Sequence, residues 1–560
     1  MRGPLALIAE LAGDAPAWAA RAQRAAAQLG RTTAPARDRL IITVGTPALP
    51  LSARVAAYRA VLALEAAADP DAALRVGEQL LAQVAGSAAA HLALAGLYRW
   101  RWAITRPREL IAQARALGGH VGARVERRLD DQARWLADGL PLSPPAARST
   151  DGTAGRVLYV VASSRPYHSA GYAARTHALV GALRRRGWDV QVAARAGYPS
   201  DRWDYPGWAL PPRQLDVDGV PHHFAPTRAK LRYAREPEAY HHEAADALEA
   251  LCRQVRPALL HAASNYNVGL ATVEVGRRLG LPVVYEVRGL WHVSKAATSA
   301  GYDGSDHYRL IARLEAQAAA AADHTFAITS GVAAELVAGG AEAARVSLLG
   351  NAADVAALQP QPPDAELVRR HHLAGQVVLG YVGTLSAYEG LDALLVAAAR
   401  LHAAGAPVRV LIVGDGAAAG PLRAQAAELG LGHVVTFTGR VGAADVRRYY
   451  SVLDALVLPR RPDRVCELVS PLKPFEAMAL GCPVVASDVA ALADLVVDGV
   501  TGRLFRKGDV GALTALLTEL IADPAQRTRL GQAAAAWVRR DRSWDALAVD
   551  VDAVWRRLGA

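Results

Sequence analysis

Residues 459–487 read PRRPDRVCELVSPLKPFEAMALGCPVVAS. The apolar run Ala455–Leu458 precedes this stretch, and the stretch itself ends on a second apolar run, 484–486. Between them lies a polar loop carrying Arg460, Arg461, Arg464, Glu467, Ser470 and Lys473. It passes into a short helix that holds Glu476 and stops at Gly481. Strand, loop, helix and strand in that order form the repeating unit of a parallel α/β sheet. A helix entered from such a loop presents unpaired amides and the positive end of its dipole to a phosphate. A carboxylate one turn further, Glu476, is placed to accept hydrogen bonds from a ribose diol. The segment therefore has the parts of a nucleoside diphosphate site.

Working outward, the runs Val377–Val382, Val408–Val413 and 434–438 are β-rich and separated by helical segments of crossover length. A second α/β set lies upstream. The strand 156–161 is followed by a helix over 171–186 and a strand over 189–193, and further strands are expected at 258–261 and Val283–Val287 around a helix over 270–279. Residues 1–140 carry Ala, Leu and Arg at helical spacing, and Asp69-Pro70-Asp71 reads as a turn and N-cap between paired helices. Pro141, Pro144 and Pro145 with 149–152 form a linker. The expected order is a helical region over 1–145, α/β domains over 155–355 and 376–522, and helices over 523–560 that return across both. The N-terminal region could also be a repeat-like array or a surface for a protein partner.

The 560 residues are 52% hydrophobic and 21% charged, a globular composition. No apolar stretch approaches the ~20 residues of a spanning helix. The start, with Glu10 and Asp14 close behind Met1, lacks the apolar core of a secretory signal, so a cytoplasmic location is expected. Cys252, Cys466 and Cys482 have no metal-ligand spacing. The net charge of +10 is almost all arginine and is dispersed, which argues against nucleic acid. Only Lys230, Lys295, Lys473 and Lys507 are lysines, so a lysine inside a motif is informative. In the N-terminal region Arg99, Arg101, Arg106 and Arg108 interleave with Trp100 and Trp102, a combination suited to peripheral contact with the inner face of a membrane.

In the first α/β set, Ser169-Ala170-Gly171-Tyr172 opens a helix after the first strand, where small residues let a substrate approach the backbone. The G-x-G-x-x-G of a dinucleotide site is missing there. Together with 282–291, 350–354, 381–391, 411–416 and 435–439, these motifs closely resemble the family 4 retaining glycosyltransferases. That family has the GT-B fold, two Rossmann-like doubly wound domains facing a cleft. The resemblance implies a nucleotide-sugar donor, a saccharide or lipid-linked acceptor, and no cofactor or metal. It implies donor contacts from Glu476, Ser470, Leu472 and Arg460, with Gly383, Thr384 and Gly414 on the facing loops. Lys473 would meet the diphosphate, and Glu467 would serve as the first glutamate of the family's pair. Ala170, Gly171, His168 and His292 would lie on the acceptor side.

The chain departs from the family in three places. Eight residues rather than seven separate Glu467 from Glu476, which leaves Leu468 at the usual position. The expected Arg and Lys of the first donor loop are Thr384 and Glu389, so Arg460, Arg461 or Arg464 would have to replace the missing charge. Arg288 stands where the family often has histidine. Arg288-Gly289-Leu290-Trp291 resembles a subgroup active on bacterial surface polysaccharides, and a guanidinium there could stabilise a departing phosphate but not act as a base. The competing readings are a nucleotide-sugar 2-epimerase of the same fold and a non-catalytic scaffold.

Overall fold

The computed structural model describes residues 33–168, 171–202, 205, 211–225, 236–442 and 445–560. The chain divides into two units. One unit joins 1–142 to the later segments 227–243 and 299–314; the other holds 143–226, 244–298 and 315–560. The helical unit is thus discontinuous in sequence, and two segments that the sequence reading placed in the first α/β domain fold with it.

Within the helical unit, helices Thr33–Val44, Leu51–Ala68, Pro70–Leu81, Ala88–Trp100, Thr105–Ala116 and Ala123–Asp138 follow one another. Asp69 caps the third by accepting from the amides of Asp71 (2.9 Å) and Ala72 (3.1 Å), with Pro70 at the first position. The core holds Tyr58, Leu62, Leu94, Leu97 and Leu110. Trp100 packs on this core, while Trp102 meets Tyr302 edge to face with ring centroids 5.1 Å apart. Asp306 accepts from the amides of Ile104 (2.8 Å) and Thr105 (2.9 Å). Three of the four arginines read as a membrane-facing patch close on carboxylates of their own unit: Arg101 on Asp71, Arg106 on Glu78 and Arg108 on Asp130. The stretch therefore carries less unpaired charge than its sequence suggests.

The second unit contains two sheets. The first has strands β1 (Thr153–Val161), β2 (Asp189–Ala194), β3 (Gln214–Val217), β4 (Val220–Phe224), β5 (Pro257–Ala263), β6 (Val283–Val287), β7 (His324–Ala327) and β8 (Val346–Leu348), in the order 3-4-2-1-5-6-7-8. All pairings are parallel except β3 with β4, a hairpin turned at Asp218-Gly219, both at positive φ. The second sheet has β9 (Val377–Val382), β10 (Val408–Val413), β11 (Val435–Gly439), β12 (Ala455–Leu458), β13 (Val484–Ser487) and β14 (Gly502–Phe505), in the order 11-10-9-12-13-14, all parallel.

Strand order reverses between β1 and β5 in the first sheet and between β9 and β12 in the second, and ligands of open α/β sheets bind at the carboxyl ends of strands at such points. The helix Trp544–Arg557 packs on the first sheet, with Trp555 buried among Val157, Tyr159, Trp188 and Leu259. This is the GT-B arrangement expected from the sequence. Among the described residues, no helix is long and apolar enough to cross a membrane.

Candidate functional site

At the carboxyl end of β9 the chain turns through Gly383, and at the end of β10 through Gly414. A Cβ on Gly414, at φ +132°, would lie 1.9 Å from the Gly383 carbonyl oxygen, so the two loops stack backbone to backbone. Against this glycine surface lies the aliphatic chain of Lys473, whose Cε would be 2.2 Å from a Cβ on Gly383. The Lys473 ammonium sits 4.8 Å from the centroid of the Tyr381 ring, and the Tyr381 hydroxyl donates to the carbonyl of the exposed Thr384 (2.7 Å).

Lys473 Nζ donates to Glu389 Oε1 at 2.7 Å. Arg460, buried at the end of β12, grips the same carboxylate with Nη2 to Oε1 (3.0 Å) and Nε to Oε2 (3.2 Å), and gives Nη1 to the Val469 carbonyl (3.0 Å). Burial works to raise the Glu389 carboxyl, yet Lys473 and Arg460 hold it down to about 2. Burial in turn lowers Lys473, which Glu389 opposes. Of the three arginines that could have replaced the missing charge, only Arg460 joins this cluster; Arg461 pairs with Asp392 and Arg464 with Glu335.

Glu476 follows one turn after Lys473 in the helix Lys473–Ala479 and accepts from the Tyr450 hydroxyl at 3.3 Å. Its surroundings raise its carboxyl through burial, against the pull of Tyr450 and Lys473. Glu467 is engaged elsewhere: Lys507 Nζ reaches Oε1 (2.6 Å) and the Ala490 amide reaches Oε2 (2.7 Å). Leu468, at the family's usual glutamate position, points its Cδ2 at Gly331, and its carbonyl accepts from Thr329 Oγ1 (2.6 Å).

The loop from Arg464 to Lys473 also meets the first sheet. Leu472 Cδ1 lies 2.9 Å from where a Gly171 Cβ would be, and Asn351 Nδ2 donates to the carbonyl of the buried Ser470 (2.8 Å). Asn351 leads into a buried charge network that the sequence reading missed. Arg175 donates to Asn351 Oδ1 (2.8 Å), to the Leu349 and Gly350 carbonyls, and through Nε to Glu286 (2.8 Å). Glu286 also takes Arg288 Nη2 (2.8 Å) and the Tyr159 hydroxyl. Burial of Glu286 is outweighed by Arg288 and Arg175, which hold its carboxyl well below the ordinary range.

Arg288 is therefore not an open cation. Its Nη1 donates to the Tyr172 carbonyl (3.0 Å) and Thr176 Oγ1 (2.6 Å), and its Nη2 to the Tyr159 hydroxyl (3.0 Å) and Glu286. All four Nη hydrogens have protein acceptors, and Nε–H is the one donor of the Arg288 guanidinium left without a protein partner. His292 is buried in the short helix Trp291–Ala296, and burial, aided by the nearby Arg464 charge, pushes it down to about 4. His168 is half-buried beside Arg202. Ser169 and Ala170 lie outside the described residues.

Two family profiles match the chain: "Glycosyl transferase 4-like domain" over residues 170–352 and "Glycosyl transferases group 1" over residues 365–537. A D-inositol 3-phosphate glycosyltransferase of Gordonia bronchialis is 30% identical over 278 residues, 48% of this chain and 59% of that protein. A GDP-mannose-dependent alpha-mannosyltransferase of Mycolicibacterium smegmatis is 28% identical over 63% of this chain and 84% of its own length. The chain thus spans less than two thirds of the first relative and most of the second. Among solved structures, a sucrose-phosphate synthase from Thermosynechococcus elongatus superposes with a TM-score of 0.58 at 21% identity, covering 72% of this chain and 99% of that one. Anabaena HepE in complex with UDP-glucose does so with a TM-score of 0.55 at 17% identity, over 72% and 99%. With two sheets reversing order at β1/β5 and β9/β12 and both halves of the α/β unit matched in turn, the chain belongs to the family 4 glycosyltransferases of the GT-B fold.

Proposed function

We propose that the protein transfers a sugar, with retention of anomeric configuration, from a nucleoside-diphosphate donor to an acceptor alcohol in the synthesis of a surface polysaccharide or glycoconjugate. The observation that carries this reading is the Lys473–Glu389–Arg460 cluster at the switch point of the second sheet, with Glu476 one turn beyond Lys473. Lys473 meets the diphosphate, and Glu476 takes the ribose diol. Gly383 and Gly414 leave room for backbone to approach the phosphates, with Thr384 at the rim. Diphosphate charge is met by Lys473, by Arg460 behind it and by loop amides, so no metal is required.

The relatives' names support an activated-nucleotide donor, since one is a GDP-mannose-dependent enzyme. Leaving-group stabilisation by one well-placed donor lowers a barrier by ~3–4 kcal/mol. In this scheme Ser470 and Leu472 shape the donor loop, and Glu467 holds that loop through Lys507 and the Ala490 amide. On the acceptor side, Gly171 and His168 flank the entrance, His292 stays neutral, and Arg288 adds positive potential from within the first sheet. The surface-polysaccharide role rests on the resemblance of 288–291 to that subgroup, and a cytoplasmic site of action follows from the nucleotide donor.

A panel of UDP-, GDP- and ADP-sugars, scored by thermal shift and then by hydrolysis and transfer, tests the reading. The expected result is stabilisation by one nucleotide class and acceptor-dependent turnover, with the product anomer read by NMR. Conversion of donor alone into an epimeric nucleotide sugar would replace transfer with epimerisation, and no response to any donor would remove the reading.

A further inference from the structure

Glu389 is a carboxylate in the donor loop where the resemblance calls for a cation, and it is the hub of that loop. It is buried, with Oε1 shared by Lys473 and Arg460 and Oε2 bonded to Arg460. The cluster sums to two cations and one anion. A free nucleoside diphosphate carries more negative charge than the same diphosphate esterified to a sugar, because the released phosphate gains an oxygen that ionises with a pKa of about 6. An anion arriving at Lys473 Nζ meets Glu389 across the same ammonium, and the repulsion grows with the charge of the anion.

We propose that Glu389 is a resident counter-ion that competes with the departing diphosphate for Lys473 and Arg460, and so favours release of free nucleoside diphosphate over intact donor. The proposal rests on the donor-site reading above. The two cations are held without Glu389. Lys473 lies along Gly383 with its ammonium over the Tyr381 ring, Arg460 Nη1 is bonded to the Val469 carbonyl, and the Arg460 carbonyl accepts from Ser487 Oγ (2.8 Å). Glutamine at position 389 keeps one acceptor oxygen for Lys473 Nζ and Arg460 Nη2 and loses the Arg460 Nε bond, while both cations keep these other anchors and the potential at the site changes. Glu389 acts through Lys473 and Arg460; it is a positioning residue, not a group that touches substrate.

The test compares wild type, Glu389→Gln and Glu389→Asp as full chains. Calorimetric titration uses UDP, GDP and ADP and their monophosphates, with thermal melts in parallel. Glu389→Gln is expected to bind whichever diphosphate the wild type binds at least tenfold more tightly and to tighten the monophosphate less. The gain should shrink with added salt, and product inhibition of turnover should deepen. Glu389→Asp, which keeps the charge, should show no tightening. Diphosphate affinity that is unchanged or weaker in a Glu389→Gln variant melting near wild type overturns the proposal and leaves the donor-site reading standing. A Glu389→Gln variant that does not fold also overturns it, because the cations then depend on Glu389 for their place. If the wild type binds none of the three diphosphates, the donor-site reading fails and takes the proposal with it.

Discussion

Replacing Lys473 with methionine isolates its charge. The thioether chain can still lie along Gly383 and under the Tyr381 ring, so the pocket keeps its lining while the ammonium is lost. Two effects follow. Glu389 loses one of its three bonds but keeps both from Arg460, so stability should fall by about 1.5–3 kcal/mol, the worth of one hydrogen bond to a charged group. Turnover should fall further, because the donor aimed at the leaving diphosphate is gone. At ~3–4 kcal/mol the loss is roughly 10²–10³-fold in kcat. Steady-state kinetics with the donor found in the panel, fitted separately for kcat and KM, together with a thermal melt, provides the assay. A kcat within threefold of wild type in a folded Lys473→Met protein would refute the assignment of Lys473 to the leaving group.

Three further outcomes are expected. Glu476→Gln should raise the Kd for the nucleotide about tenfold or more by weakening the ribose contacts while leaving the melt near wild type, and calorimetry with the diphosphate reads it. Turnover should persist in excess EDTA; complete loss restored by magnesium or manganese would show that a metal carries part of the diphosphate charge. Glu315 is buried, accepts from the Tyr285 hydroxyl and the Tyr266 amide (3.0 Å), and is pushed up to about 7 by burial. Because its folded value lies above its unfolded one, its contribution is full in acid and is lost as pH rises through about 7. Wild-type stability should drop by about 2–3 kcal/mol from this group between pH 5 and pH 8. Glu315→Gln should remove that dependence, and melts at both pH values giving equal offsets would contradict it.

The second sheet was largely legible because each central strand is a predominantly apolar run: Val377–Val382, Val408–Val413 and Ala455–Leu458 coincide with β9, β10 and β12. The β3–β4 hairpin was not read, since Gln214–Val217 is short and half polar, although Asp218-Gly219 is a hairpin signal. Sequence also showed that Glu389 could not bind phosphate but left three arginines as substitutes. Only tertiary placement separates the buried Arg460 from Arg461 and Arg464, whose carboxylate partners lie 69 and 129 residues away in sequence. The Arg175–Glu286–Arg288 network had one available clue, a glutamate inside the otherwise hydrophobic strand Val283–Val287, which demands buried counter-charges. Its partners come from other elements, so spacing along the chain could not supply them. Leaving Glu286 with only one of these arginines would cost about 1.5–3 kcal/mol, the worth of one hydrogen bond to a charged group.

Trp555 has a consequence for how the chain is made. Domains on a ribosome generally fold in the order of synthesis. Here the first sheet is finished at β8, yet its core still lacks Trp544, Leu547, Val551 and Trp555, whose helix emerges only after the whole second sheet. Until then Trp188 lacks the ring that meets it edge to face at 5.2 Å, and His261 lacks the indole N–H it accepts at 3.1 Å. The first sheet's core is therefore completed only after the second sheet has been translated. A ribosome stalled before Trp544 would hold all the strands of both sheets, with the first sheet's core still lacking these four side chains.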